Sequence, residues 1–422
     1  MNLLRKTINT VQISRFHRGG SIAIGLLFLA LFSCVEEFPF ESRDYKKVLV
    51  IEGRFTDEVG THQVKIGYTR RLDEQQQEVV SGAEVWVEGS DGSVFNYNET
   101  EPGVYETDPL VSGTAGISYQ LHVSIDDKVY QSTKQKLIPS PPIEELYHEY
   151  KELVVESTKE VRPGIQFFID TQDLTNQALH YRYEWEETYE VRPPWPSQYE
   201  YLADLDTLVP RLPPLQICYR TAQSSDILLG STAGFTENKL SAMPVRYITT
   251  ATDQLKYAYS ILVHQYAISS QAYNYYRELN EGNSGGSLFD SQLGTLQGNL
   301  TSLNDASEVV LGFFEVSGKS SRREFVRYEW LDKRFPPPDQ YYNCSISQVK
   351  LIVEPGPPYE ISDSLRYYVV GKGLEVIEAV YCDDTGSQNE ECPYYLEALL
   401  APKYCTDCRF RGTLQKPDYW IF

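Results

Sequence analysis

Residues 118–132 read SYQLHVSIDDKVYQS. Tyr119, Leu121, Val123 and Ile125 alternate with Gln120, His122 and Ser124. A period of two puts the apolar set on one face of a strand, since successive side chains point to opposite sides of a sheet. Asp126-Asp127 then turns the chain, and Lys128 onward returns it. Residues 82–99, GAEVWVEGSDGSVFNYNE, repeat the pattern: Ala83, Val85 and Val87 share a face, and Asp91-Gly92 is a hairpin turn signal. Shorter runs at 48–52, 62–70 and 102–108 complete about seven closely turned strands. The spacing predicts a small β-sandwich over residues 45–137.

Ile138-Pro139-Ser140-Pro141-Pro142-Ile143 follows. Three prolines in four positions favour an extended connection, so 138–143 is read as a linker. Residues 144–422 then read as a larger β-rich domain. In LHYRYEWEETYEV (179–191), Tyr181, Tyr183 and Trp185 face one way, and Arg182, Glu184 and Glu186 the other. LKYAYSILVHQYAIS (255–269) is apolar on both faces and belongs in the middle of a sheet. Residues 307–318 and 323–328 read as a further hairpin, and 347–356 as another strand. One helix is predicted, capped by Ser270, carrying Ala272, Tyr275, Tyr276 and Leu279 at helical spacing, and stopped at Gly282. The fold class is therefore all-β, two sandwich-type domains with one helix and long loops. Within the first, V-x-G-A-x-V at Val80–Val85 with G-x-Y at Gly103–Tyr105 resembles the immunoglobulin/transthyretin-like type of sandwich.

The first 33 residues have a different logic. Arg5, Lys6, Arg15 and Arg18 precede an apolar run from Ile22 to Phe32, then Ser33-Cys34. A basic segment, a short apolar segment and a small residue before the cut describe a secretory signal. The run is shorter than the ~20 residues that span a bilayer. Leu31-Phe32-Ser33-Cys34 resembles a bacterial lipobox, which makes Cys34 the expected lipid attachment site and residues 34–44 an acidic tether. Glu36, Glu37 and Glu41 after it resemble the signal that carries Bacteroidota lipoproteins to the outer face of the outer membrane. Two or three acyl chains suffice for stable anchoring. The expected location is the outer membrane, lipid-anchored and exposed at the cell surface.

Charge narrows the partners. The chain has a formal charge of −21, and loss of residues 1–33, with four Lys/Arg and no acid, takes it to −25 (−21 − 4). Nucleic-acid binding needs clustered Lys and Arg and is not expected. No cofactor is expected either. H-E-x-x-H, Walker and dinucleotide motifs do not occur in the sequence. The histidines are scattered, none at ligand spacing, and no metal site is assigned. Asp383, Asp384, Glu390 and Glu391 crowd the loop 382–392, where a calcium site is the alternative to a solvated acidic loop. Trp195, with Tyr199 and Tyr201 near it, sits on a proline-rich excursion from 192 to 216 and marks a candidate binding loop, with simple packing as the alternative.

Besides Cys34 there are six cysteines: Cys218, Cys344, Cys382, Cys392, Cys405 and Cys408. An even number in an exported chain points to disulfides, and six allow 15 connectivities. The tail CTDC (405–408) is read as part of this framework. A zinc site is the rival, although only one half of it would be a C-x-x-C knuckle.

VIEGRFTD (50–57), VSGAEVWVEG (80–89), EPGVYETD (101–108), SSQAYNYYRELNE (269–281) with GSLFD and GNL, and CTDCRFRGTLQKPDYW (405–420) together resemble the domain-of-unknown-function 4249 family of Bacteroidota lipoproteins. The resemblance implies a partner more than a reaction, because such genes often neighbour TonB-dependent outer-membrane transporters. It supplies no catalytic residues. The leading expectation is an accessory binding module of such a transporter, capturing substrate or covering its mouth. An envelope structural or assembly factor is the alternative, and a hydrolase with an unidentified site is the third reading.

Overall fold

The computed structural model describes residues 47–422 apart from 71–75, 156–158, 206, 251, 285–295, 297, 333–343, 353–362 and 382–394. Cys34, its tether, Cys382, Cys392 and the acidic loop lie outside the described residues. Val48–Phe422 forms one compact unit.

The fold is all-β. Leu49–Thr56, Gln63–Tyr68, Glu84–Gly89, Val94–Glu101, Ser118–Ile125 and Lys128–Ser132 bury their alternating residues in a shared core that includes Ile51, Phe55, Val85, Val87, Tyr119 and Leu121. The residues read as one face in the opening stretch are inside, with Tyr119, Leu121 and Val123 almost fully buried. A second core lies between the strands His180–Val191, Ala258–Ile268 and Phe314–Arg327 on one side and the three-stranded sheet of Ile143–Val155, Glu160–Gln172 and Lys239–Thr249 on the other. Tyr181, Tyr183 and Trp185 are buried in it. Ala258–Ile268 pairs on both edges, with His180–Val191 and with Phe314–Arg327, as its two apolar faces require. A third, smaller core joins Ser347–Ile352, Leu374–Tyr381 and Tyr395–Pro402 to the hairpin Tyr199–Leu202/Thr207–Pro210.

The two large cores are not separate beads. The hairpin expected over 307–328 is one continuous strand, Phe314–Arg327. Its first part runs parallel to Leu49–Thr56, Gly53 opposite Phe314 through Thr56 opposite Ser317. Its remainder runs antiparallel to Ala258–Ile268, from Gly318 to Arg327. The partner changes at Gly318-Lys319-Ser320-Ser321, a polar stretch without a turn dipeptide. Leu300–Ser302 also pairs with Lys128–Ser132, so strands from beyond residue 143 complete the first sheet. The segment 138–143 is correspondingly fastened. Gly318 N donates to Ile138 O at 2.8 Å, and Gln265 Nε2 donates to Pro141 O at 2.8 Å. A Cβ on Gly318 would lie 2.5 Å from Ile138 O and from Ser140 N, so only glycine lets the strand pass this close.

The helix spans Ser270–Ser284. Its first turn is capped by Ser269, whose Oγ accepts from Ala272 N at 3.2 Å, one residue before the expected cap, and the helix passes through Gly282. Ser269 Oγ also donates to Gln135 Oε1 at 2.8 Å, which ties the helix start to the first sandwich. Ala272 and Tyr275 pack against Tyr266, Ile268 and Phe313.

Candidate functional site

The shared strand sets up the site. Along Phe314–Arg327, Phe314 and Val316 enter the first core. Glu315 and Ser317 must then point to the opposite face. Asn299, itself buried, holds this strand by bonding both backbone polar groups of Phe314, Nδ2 to its O at 2.8 Å and Oδ1 from its N at 2.9 Å. On His180–Val191 the same alternation turns Arg182 and Glu184 away from the second core. On Leu49–Thr56 it turns out Glu52 and Arg54, and on Ala258–Ile268 it turns out Tyr266. The outer faces of four neighbouring strands therefore converge where the two sandwiches join.

The convergence is a neutral cluster of two arginines and two glutamates. Arg182 donates to both oxygens of Glu315, Nε to Oε2 at 2.9 Å and Nη2 to Oε1 at 3.1 Å, and its Nη1 reaches Glu184 Oε1 at 2.5 Å. Arg54 grips Glu184 with both terminal nitrogens, at 3.0 and 2.7 Å. Ser317 Oγ donates to Glu315 Oε1 at 2.8 Å. Both guanidiniums lie against the ring of Tyr266, 4.3 Å from its centroid for Arg54 and 4.6 Å for Arg182. Glu315 is fully buried and Arg182 nearly so, whereas the Arg54 side chain is 32% exposed. Arg54 Nε has no hydrogen-bond acceptor and lies 3.5 Å from Glu315 Oε1.

Burial alone would push both carboxyls up, but Arg182 and then Arg54 hold Glu184 and Glu315 well below the usual carboxylate range. Burial and mutual repulsion oppose the charge on Arg54, yet Glu315, Tyr266 and Glu184 keep its pKa above the ordinary arginine value. Burial, followed by the Glu315 carboxylate, raises the Tyr276 hydroxyl. At neutral pH the cluster is thus a fixed set of ionised groups. Such fully paired arrangements hold a geometry more than they add stability.

One member of the cluster, Arg54, lines a cavity of about 530 Å³, whereas Arg182, Glu184 and Glu315 are not among its lining residues. Arg54 and Tyr266 form its base. Tyr275, Tyr276 and Leu279 of the helix, with Phe313, make an apolar wall. Glu52, Gln63, Lys65, Glu58 and Lys319 make the polar wall. Lys319 Nζ pairs with Glu58. Glu52 and Lys65 sit opposite each other on neighbouring strands and, among the described residues, form no side-chain hydrogen bond or ion pair. His62 also lines the cavity but is occupied, its Nε2 3.2 Å from Val111 O, and burial lowers its pKa.

The residues singled out in the sequence lie elsewhere. Trp195 is 43% exposed, and its backbone N donates to Cys405 O at 3.1 Å. Tyr199 and Tyr201 pack against the third core and border a smaller cavity of about 250 Å³ with Arg211, Glu375, Lys403 and Arg409. The excursion is therefore docked on the CTDC tail. Cys405 and Cys408 each bond a distant partner, Cys344 and Cys218 respectively. Arg54, Arg182, Glu184, Glu315 and Tyr266 were not singled out. The one signal for them was a charge embedded in an apolar strand, Glu315 in FFEVS above all. His122 stacks on Trp86, His148 lies 3.6 Å from Glu324, His180 bonds Ser231 and His264 bonds Ser321, so each is accounted for locally. Among the described residues, no three His, Cys, Asp or Glu side chains converge as a metal site.

These features define an all-β protein in which two sandwiches share a strand and enclose a charged cavity at their seam. The chain matches the family described as Domain of unknown function (DUF4249) over residues 35–323, and it belongs to that family. The matched span contains every residue of the seam cluster, while CTDC lies beyond it. A search of curated proteins returned no match.

Proposed function

We propose that this protein is a Bacteroidota lipoprotein, anchored through Cys34 to the outer membrane and displayed at the cell surface, where it captures substrate for a TonB-dependent transporter. The observation that carries the binding role is the seam cavity. Its volume falls within the roughly 300–1,000 Å³ range of small-molecule sites, and Arg54 at its base is held in place by Glu184 behind it. Preorganisation favours binding because little ordering remains for the ligand to impose. LFSC at 31–34 and the acids after it support the anchoring.

The test is affinity isolation of the full-length protein from native outer membranes in mild detergent, with mass spectrometry of what accompanies it. A TonB-dependent transporter should co-purify in near-stoichiometric amount. Isolation of the protein alone, or with a broad set of envelope proteins and no transporter, would overturn the proposal in favour of an envelope structural role.

A further inference from the structure

We infer that the seam cavity selects a neutral, polyhydroxylated ring, a saccharide of one to a few units, over small anions and cations. The inference rests on the capture role proposed above and names its substrate class.

The polar wall makes two opposite demands. Glu52 and Glu58 are carboxylates that only accept hydrogen bonds. Lys65 only donates, while Arg54 has both terminal nitrogens on Glu184 and its Nε, without a hydrogen-bond acceptor, 3.5 Å from Glu315 Oε1. A simple anion would satisfy Lys65 but face Glu52 and Glu58. A simple cation would meet the reverse conflict. The fixed charges nearly cancel: Arg54 is neutralised within its cluster, Lys319 by Glu58, and Lys65 stands opposite Glu52. The ligand must offer donors and acceptors along one edge without net charge, which vicinal hydroxyls do because each both donates and accepts. Glu52 as acceptor and Lys65 as donor, opposite each other on neighbouring strands, can serve hydroxyls that both donate and accept. A zwitterion also carries both functions, but its two full charges lose far more hydration on entry than hydroxyls do.

The other wall supplies the second half of the match. Tyr275, Tyr276, Leu279 and Phe313 pack together and supply an apolar part of the lining. A pyranose has this two-sided character, with a C–H face that packs on aromatic rings and a rim of hydroxyls.

The test is calorimetric titration of the full-length purified protein with neutral di- to tetrasaccharides, with dipeptides and citrate as rival classes. At least one neutral saccharide should bind, while the rivals should not. Glu52→Gln, at an exposed position, should weaken that binding at least fivefold with an unchanged melting temperature, and Arg54→Lys at least tenfold. Binding of dipeptides or citrate alone, no binding by any class, or saccharide binding unaltered in a folded Glu52→Gln variant would each overturn the inference. Transporter co-purification without saccharide binding removes only the ligand class, and saccharide binding without a transporter removes only the partnership.

Discussion

The seam and the C-terminal tail close two junctions of the same chain by different means. At the seam, four buried or half-buried charges bridge strands far apart in sequence, Arg54 to Glu184 and Arg182 to Glu315. At the tail, Cys218–Cys408 and Cys344–Cys405 do the bridging, with sequence separations of 190 and 61. A disulfide stabilises largely by restricting the unfolded chain and asks little of its surroundings. A buried ion cluster costs desolvation energy and holds only while every partner is present. A fold that needs mere closure is served by the first device. The second, placed at the base of a cavity, indicates that the geometry of the charges is itself wanted.

The largest effect should come from Glu315→Ala, which leaves Arg182 buried without its main partner. A loss of about 3–5 kcal/mol in denaturant unfolding is expected, as for other broken buried pairs. A loss below 1 kcal/mol would mean the seam is no more demanding than a surface ion pair. Removing Cys218–Cys408 through the double serine variant should follow, at about 2–4 kcal/mol. Cys408 and Cys218 are buried, whereas Cys344 is partly exposed, so mild reductant should open Cys344–Cys405 first, as read by alkylation and peptide mapping.

A smaller effect concerns pH. Burial, and next Lys319, lowers His264 from 6.5 to about 4. The native state therefore resists a proton that the unfolded chain accepts, so stability is full above pH 6.5 and falls as pH drops from 6.5 towards 4. Glu184 and Glu315, with depressed pKa values, extend the loss below their ordinary titration near 4.5. His264→Gln should flatten the upper part of this slope and leave the acid limb intact. An unchanged slope between pH 6.5 and 5 would assign it to another group.

Much of the fold was legible from alternation alone. Tyr119, Leu121 and Val123, and Tyr181, Tyr183 and Trp185, lie on the faces their spacing demands, and the doubly apolar 255–269 is central. Alternation says which residues leave a core but not what meets them outside. Alternation therefore sets Arg182 and Glu184 on the face away from Tyr181, Tyr183 and Trp185 without naming a partner, and the strands that complete their pairing lie about 130 residues away in sequence. The shared strand escaped for the same reason. Residues 314–317 and 318–327 look like separate segments until their partners, Leu49–Thr56 and Ala258–Ile268, are known. The cysteine pairing was one of 15 combinatorial choices, which only three-dimensional proximity resolves. Trp195 is a large ring among prolines, a composition that suits a docked loop as well as a binding one.

The most direct test of the seam as a binding site replaces the whole quartet by apolar residues of similar size: Arg54→Met, Arg182→Met, Glu184→Leu and Glu315→Leu. Buried ion clusters replaced in this way often leave stability unchanged or raised. The measurement is transporter retention and saccharide titration on a variant whose melting temperature matches the parent. The expected result is a folded protein that no longer binds saccharide. Undiminished saccharide binding by that folded variant would contradict the assignment and reduce the cluster to a structural joint.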